Sequence, residues 1–296
     1  MFNSTSVSLY TPDWFKTINK DSYKFKVKSG RLYAQNQKIV IAGLLRNCRE
    51  KIPEIMKRAE ALGQIFKDYR ILIVENDSSD GTRRSLLQWA NKNPKVTILG
   101  CGHNAQNCLL RLPPTDGHSV DRTRIEKMAY LRNIYLREIQ TRFSDFDYLA
   151  VWDMDIIGSV YVDGVWNTMF YFKNNPNLTA MCAYGIYQWG PLRLYYDTYA
   201  TLEEGDNFHI QNKFIHDLKK GIGMQFQRGD PPVSVLSCFS GFTIYRLSGV
   251  LHSKYGTTPQ DDPSGNLECE HVYLHRQLPG EIKMNPSMIH LVIFND

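Results

Sequence analysis

Residues 148–159 read YLAVWDMDIIGS. Five apolar residues run without interruption into Asp153 and Asp155, which are separated by a single methionine. A short continuous apolar run of this kind reads as a strand buried on both faces. Carboxylates at the end of such a strand carry a desolvation cost unless something pairs with them. What these two acids face is the question on which fold and function turn.

Working outward, residues 38–45, KIVIAGLL, and 70–74, RILIV, are two more buried-strand runs, and 96–99 is a shorter one. Between them lie helical patterns. Pro53 suits a helix opening, with Ile55, Ala59, Leu62 and Phe66 recurring at helical spacing, and another helix is expected around Leu86–Ala90. Residues 121–139, DRTRIEKMAYLRNIYLREI, form the strongest helical pattern. Thr123 and Glu126 stand at capping-box spacing there, and Ile125, Met128, Ala129, Leu136 and Ile139 share one apolar face. Strand–helix alternation predicts an α/β fold with a mostly parallel central sheet flanked by helices. Residues 1–37 show no clear period and read as an extension packed on the domain. The second half is richer in Gly, Pro and aromatics, as in YGIYQWGPLRLYYDTYA at 184–200, and reads as mixed strands and long loops that recognise a substrate.

Whole-chain properties narrow the classes. With 296 residues the chain is long enough for a full core. Hydrophobic and charged contents of 43% and 22% are those of an ordinary globular protein. A formal charge of +5 suits an anionic small ligand, without the dense Lys/Arg stripe of a nucleic-acid binder. No apolar run approaches the roughly 20 residues needed to span a bilayer, and the first residues lack the pattern of a secretory signal. The six cysteines are scattered without a CxxC pair. Reduced thiols in a cytoplasmic setting are therefore the expectation.

In open α/β sheets, ligands bind at the carboxyl ends of the strands. Two expected strands end there in acids: Glu75-Asn76-Asp77 and Asp153-Met154-Asp155. An Asp-x-Asp run beyond a buried strand offers two hard oxygen donors suited to Mg²⁺ or Mn²⁺, which in turn neutralises a diphosphate. Haloacid-dehalogenase-type phosphatases place similar letters after a strand, with the first Asp as nucleophile. They usually carry Thr or Val where this chain has Ile157, and their motif opens the domain. A nucleotidyltransferase would need a Gly-rich triphosphate loop near the first strand, where IAGLLRN stands instead.

VENDSSDGT at 74–82 resembles the VDDGSTDGT that follows the second strand of many family 2 glycosyltransferases, enzymes of the GT-A fold. The resemblance implies that Glu75, with Asn76 and Asp77 beside it, recognises the nucleotide base. RIEKMAYLRN at 124–133 resembles the helix before the Asp-x-Asp of that fold, implying that Arg132, or Arg124, reaches the donor diphosphate. Asp153 and Asp155 then stand where the metal is held, Asp153 also beside the donor. YYDTYA at 195–200 and PPVSVLSCFSGFTIYR at 231–246 resemble segments of the capsule-associated mannosyltransferases of glycosyltransferase family 69, with Phe239 in place of a Trp.

LECEHVYLHRQLPGEIKMNP at 267–286 resembles the acidic segment late in family 2 catalytic domains. It implies Glu270 as general base in an inverting reaction, and His271, with His275 the weaker alternative, as a further metal ligand. A family 69 relationship implies retaining transfer instead, in which Glu270 need not be a base. Asp197 is a candidate to hold sugar hydroxyls, and Trp189, Tyr195 and Tyr196 are candidates to stack on sugar rings.

The expectation is a GT-A domain over 38–296, with a nucleotide-sugar-binding half at 38–160 and an acceptor-binding half at 161–296. It would move a sugar, with mannose the candidate, from a GDP- or UDP-sugar to a glycan hydroxyl. A non-catalytic glycan binder of the same fold is the alternative.

Overall fold

The computed structural model describes residues 10–13, 15–115, 121–156, 158, 160–189, 192–204, 222, 225–261 and 267–292. Its centre is a nine-stranded sheet in the order β3-β2-β1-β4-β8-β5-β9-β7, with β6 paired to β5. The first half alternates as the sequence predicts: β1 (Lys38–Leu45), α2 (Ile52–Gly63), β2 (Asp68–Glu75), α3 (Thr82–Lys92), β3 (Val96–Leu99), α4 (Arg122–Arg142) and β4 (Tyr148–Trp152). Strands β1 to β4 are all parallel. After α5 (Val162–Asn174) come β5 (Leu178–Trp189), β6 (Leu192–Tyr196), β7 (Val233–Ser234), β8 (Phe242–Arg246), α6 (Leu247–Val250), α7 (Glu270–His275) and β9 (Glu281–Val292). β8 runs antiparallel to both β4 and β5, while β9 pairs parallel with β5. The α/β class with a mostly parallel sheet is as expected.

The uninterrupted apolar runs are explained by helices on both faces of the sheet. Successive strand side chains alternate sides. Val40, Ala42, Leu72, Val74, Leu149 and Val151 pack beneath Ala129, Leu136 and Ile139 of α4. Ile39, Ile41, Ile71, Ile73, Ala150 and Trp152 meet α2, α3 and α5 on the other side. The cap of α4 is Asp121, whose side chain accepts from the Arg124 backbone N–H, not the expected Thr123. An Asp at that position captures the free amide before the first turn.

Residues 20–34 form helix α1, which their weak period does not announce. Its stability comes from docking on α5. A β-carbon at Gly30 would stand 1.7 Å from the Trp166 carbonyl oxygen, so only glycine permits this approach. The buried Asp163 carboxylate ties the region down, accepting from the Thr11 amide and hydroxyl and from the Tyr23 hydroxyl at 2.8–2.9 Å.

The thiols require a correction. Cys101 is disulfide-bonded to Cys108 and Cys182 to Cys238, and only Cys48 and Cys269 are free, both buried. Scattered spacing hid the second pair because β5 and the segment before β8 bring residues 56 apart to a Cα separation of 5.9 Å. The expectation of reduced thiols is thus corrected for four of the six cysteines. Among the described residues, no helix is long and apolar enough to cross a membrane.

Candidate functional site

β1, β2 and β4 end at one edge of the sheet. Leu45 is in register with Glu75, and Ala42 with Val151, so the two acidic strand ends flank the end of β1. The turn after β4 hangs on the loop before β8: the Asp153 amide donates to the Gly241 carbonyl at 2.9 Å. Gly241 sits at φ +73°, and a β-carbon there would lie 2.6 Å from the His290 ring. The glycine therefore sets where Asp153 begins.

Arg132 of α4 is the organiser, and it is only 2% exposed. Its Nη2 donates to Asp153 Oδ1 at 3.1 Å and its Nε to Glu270 Oε1 at 3.0 Å. The guanidinium carbon stands 5.0 Å from the Phe239 ring centre and 5.9 Å from that of Tyr255. One cation thus joins α4, the turn after β4 and the start of α7. Burial pushes the Asp153 pKa up to about 6, with Arg132 opposing and the neighbouring Asp155 adding to the rise. Burial likewise raises Asp155, opposed by Lys51, whose ammonium donates to the Asp155 backbone carbonyl at 2.8 Å.

The Tyr196 hydroxyl marks the shared space. Burial raises its pKa, the charges of Asp197, Asp153 and Asp155 raise it further, and Arg124 opposes them. These charges are near enough to act on Tyr196, and Arg132 joins Asp153 to Glu270 by hydrogen bonds. Tyr195 belongs to the core, hydrogen-bonded to Ser240 and Thr201 at 2.9 Å. The Trp189 side chain lies outside the described residues.

At the end of β2 the acids accept hydrogen bonds from their own loop and its neighbours. Glu75 accepts from the Ser78 amide at 2.9 Å and from Arg83 at 2.8 Å. Arg83 also holds the Ala105 carbonyl. Asp77, at φ +52°, accepts from the amides of Leu110 and Leu112. Asn76 is buried. This strand end shapes a loop wall, whereas the β4 end keeps its acids raised in pKa. Glu270 is also engaged on both oxygens, the second accepting from the Cys269 thiol at 3.4 Å. Its geometry is that of a partner for Arg132.

The donor set fits a hard divalent cation in one part and not in another. Asp153 and Asp155 are two half-buried carboxylates with mutually unfavourable charge, which a cation would relieve. His271 is packed among aromatic rings. Its ring lies flat on Phe239 at 3.7 Å, neither nitrogen hydrogen-bonds to a described residue, and the nearest acid is Glu270 at 3.8 Å. Among the described residues no group of three or more His, Cys, Asp or Glu is placed to hold a metal. His275 is structural, bonded to Ser237 and Tyr245 at 2.8 Å on either nitrogen. Sequence reading missed Lys51, which lies 104 residues from Asp155. Its place in the loop beyond β1, at the carboxyl end of a central strand, was the available signal.

The buried histidines carry a pH consequence. Burial lowers His275 to about 3 and His290 to about 4, and it lowers His271 as well. Between its folded value and the ordinary 6.5, each binds fewer protons folded than unfolded. Stability is therefore full above pH 6.5 and lost as pH falls, by about 1.4 kcal/mol per pH unit for each histidine. Asp153 acts with the opposite sign between about 4 and 6, and the raised Asp155 acts in the same sense, so the two carboxylates offset part of the loss. Urea unfolding should show a net loss of stability as pH falls from 7 to 5. A flat profile from pH 7 to 5 would contradict the buried neutral state.

The family model described as cryptococcal mannosyltransferase 1 matches residues 38–272. No curated protein matches the sequence in a direct comparison. Among solved structures, the chain is similar to the mannosyltransferase PcManGT of Pyrobaculum calidifontis, in complex with GDP-Man and Mn²⁺, at 9% identity and TM-score 0.45. That alignment covers 92% of this chain and 64% of the other. For residues 1–349 of TarS from S. aureus with UDP-GlcNAc, the values are 10% and 0.47, over 88% and 60%. For a mycobacterial protein they are 9% and 0.48, over 91% and 72%. The chain thus spans about three-fifths of the length of the first two. The assignment rests on the sequence match, which takes in all of β1 to β4 and both acids beyond Trp152: the chain belongs to the cryptococcal mannosyltransferase 1 family.

Proposed function

We propose that the chain transfers mannose from a GDP- or UDP-linked donor to a hydroxyl of a glycan, with Mn²⁺ or Mg²⁺ held by Asp153 and Asp155. The observation that carries this reading is the pair of acids at the carboxyl end of β4, with Asp153 held by the buried Arg132 that also binds Glu270. The bound cation would supply positive charge to the departing diphosphate. The mannose follows the description of the family.

The chain's own side chains divide the remaining work. Arg124, beside Tyr196, is assigned to the diphosphate. Arg132, occupied by two carboxylates, positions Asp153. Asp197 is assigned to the sugar hydroxyls, and Glu75, Asn76 and Asp77 to the wall beside the base. Glu270 acts through Arg132, which accords with retaining transfer, where it need not be a base.

The test is a thermal-shift screen of GDP-mannose and UDP-sugars with and without Mn²⁺. Ligand at 100 times its Kd stabilises by about 2.7 kcal/mol, so one nucleotide class should raise the melting temperature, and only with metal. No rise with any nucleotide sugar would overturn the reading. Binding with no transfer to any acceptor would favour the non-catalytic alternative.

A further inference from the structure

The turn joining α5 to β5 is Asn175-Pro176-Asn177, followed by Leu178-Thr179 at the start of the strand. Asn177-Leu178-Thr179 has the Asn-x-Ser/Thr form of an N-glycosylation acceptor. The sequence contains two others, at Asn3 and Asn76. Asn3 lies outside the described residues, and Asn76 is 4% exposed beneath the β2 end. Asn177 is exposed.

The turn is held rigidly. The Asn177 amide donates to Asn175 Oδ1 at 3.0 Å. Arg246 clamps the carbonyls of Phe172, Asn175 and Leu178 at 2.9–3.3 Å. Asn177 therefore stands outward on a fixed shoulder, its side chain beside Glu281. It is also far from the donor edge. Ala180 and Leu149 both pair with Tyr245, so Asn177 and Asp153 lie seven residues apart along parallel strands. That is roughly 23 Å at strand rise.

Two disulfides supply the independent observation. Cys101–Cys108 and Cys182–Cys238 are bonds of the kind that form and persist in oxidising compartments, the setting in which such acceptors are used. We propose that Asn177 carries an N-linked glycan, added by a separate transferase from a polyprenyl-diphosphate-linked oligosaccharide. The Asn177 amide nitrogen attacks the anomeric carbon and loses one proton to a base of that transferase. The new C–N bond forms as the C–O bond to the diphosphate breaks, and the polyprenyl diphosphate departs with the electron pair. Thr179, buried once β5 has formed, is read before the strand closes. The glycan then projects from the face opposite the catalytic edge, where it blocks neither donor nor acceptor.

The chain purified from the cells that make it, digested and mapped by mass spectrometry before and after peptide-N-glycosidase, tests this directly. The peptide containing Asn177 should carry a glycan and, after treatment, read Asp at that position. Asn177→Gln should abolish the modification at this peptide and leave transfer activity unchanged, whereas Thr179→Ser should keep the modification. Alkylation of the denatured chain without reductant should label two thiols, Cys48 and Cys269. An unmodified Asn177 in the unaltered chain, or six free thiols, would overturn the proposal. The proposed donor chemistry is untouched by either result.

Discussion

Asp155→Ala is expected to lower kcat/KM for metal-dependent sugar transfer by about 10³-fold while the protein stays folded. Loss of several kcal/mol of charge stabilisation on the leaving diphosphate corresponds to a factor of that order. The stability half of the expectation comes from the direction of the pKa shift. Burial pushes the Asp155 carboxyl up, so its charged form is destabilised by folding at neutral pH. Removing it costs the fold little, and the melting temperature should hold or rise. Asp153→Ala differs, because Arg132 would lose one of its two buried carboxylates. Activity and metal dependence in Asp155→Ala equal to those of the unaltered enzyme would remove the metal from the mechanism.

Arg132→Met should have the largest effect on stability of any single change in the site. The side chain fits the volume roughly but leaves Asp153 and Glu270 without their shared counter-charge. Breaking a buried pair from one side costs about 3–5 kcal/mol, because the surviving charge stays desolvated. At about 2–4 °C per kcal/mol, that is a fall in melting temperature on the order of 10 °C. The double variant Arg132→Met/Glu270→Gln should recover part of the loss by removing one stranded charge. Arg132→Lys should recover little, since a point ammonium cannot reach two carboxylates as the fork does. Equal stability of Arg132→Met and the unaltered chain would show that the three groups are solvated rather than locked together.

Much of this was legible in the chain itself. The runs at 38–45, 70–74 and 148–152 are apolar on both strand faces, which only a sheet covered on both sides accommodates, and the amphipathic helices between them dictate parallel strands. Acids at the ends of two such strands therefore had to share an edge. Other features depend on positions far apart in sequence. Helix α1 has little period of its own because one close glycine contact with α5 carries it. The Cys182–Cys238 bond and the Lys51–Asp155 contact join residues more than 50 apart, and neither spacing is a motif.

Local pattern determined the strand ends, the carboxylates upon them and the helix that brings Arg132 near. The three-dimensional arrangement alone decided which carboxylates are already paired. Glu75 and Asp77 fold back on Arg83 and on the amides of 110–112, Glu270 closes on Arg132, and His271 is stacked on Phe239. The physical reason is that side-chain type and period are written residue by residue. Whether a buried carboxylate is already paired depends on what the rest of the chain places within 3 Å of it.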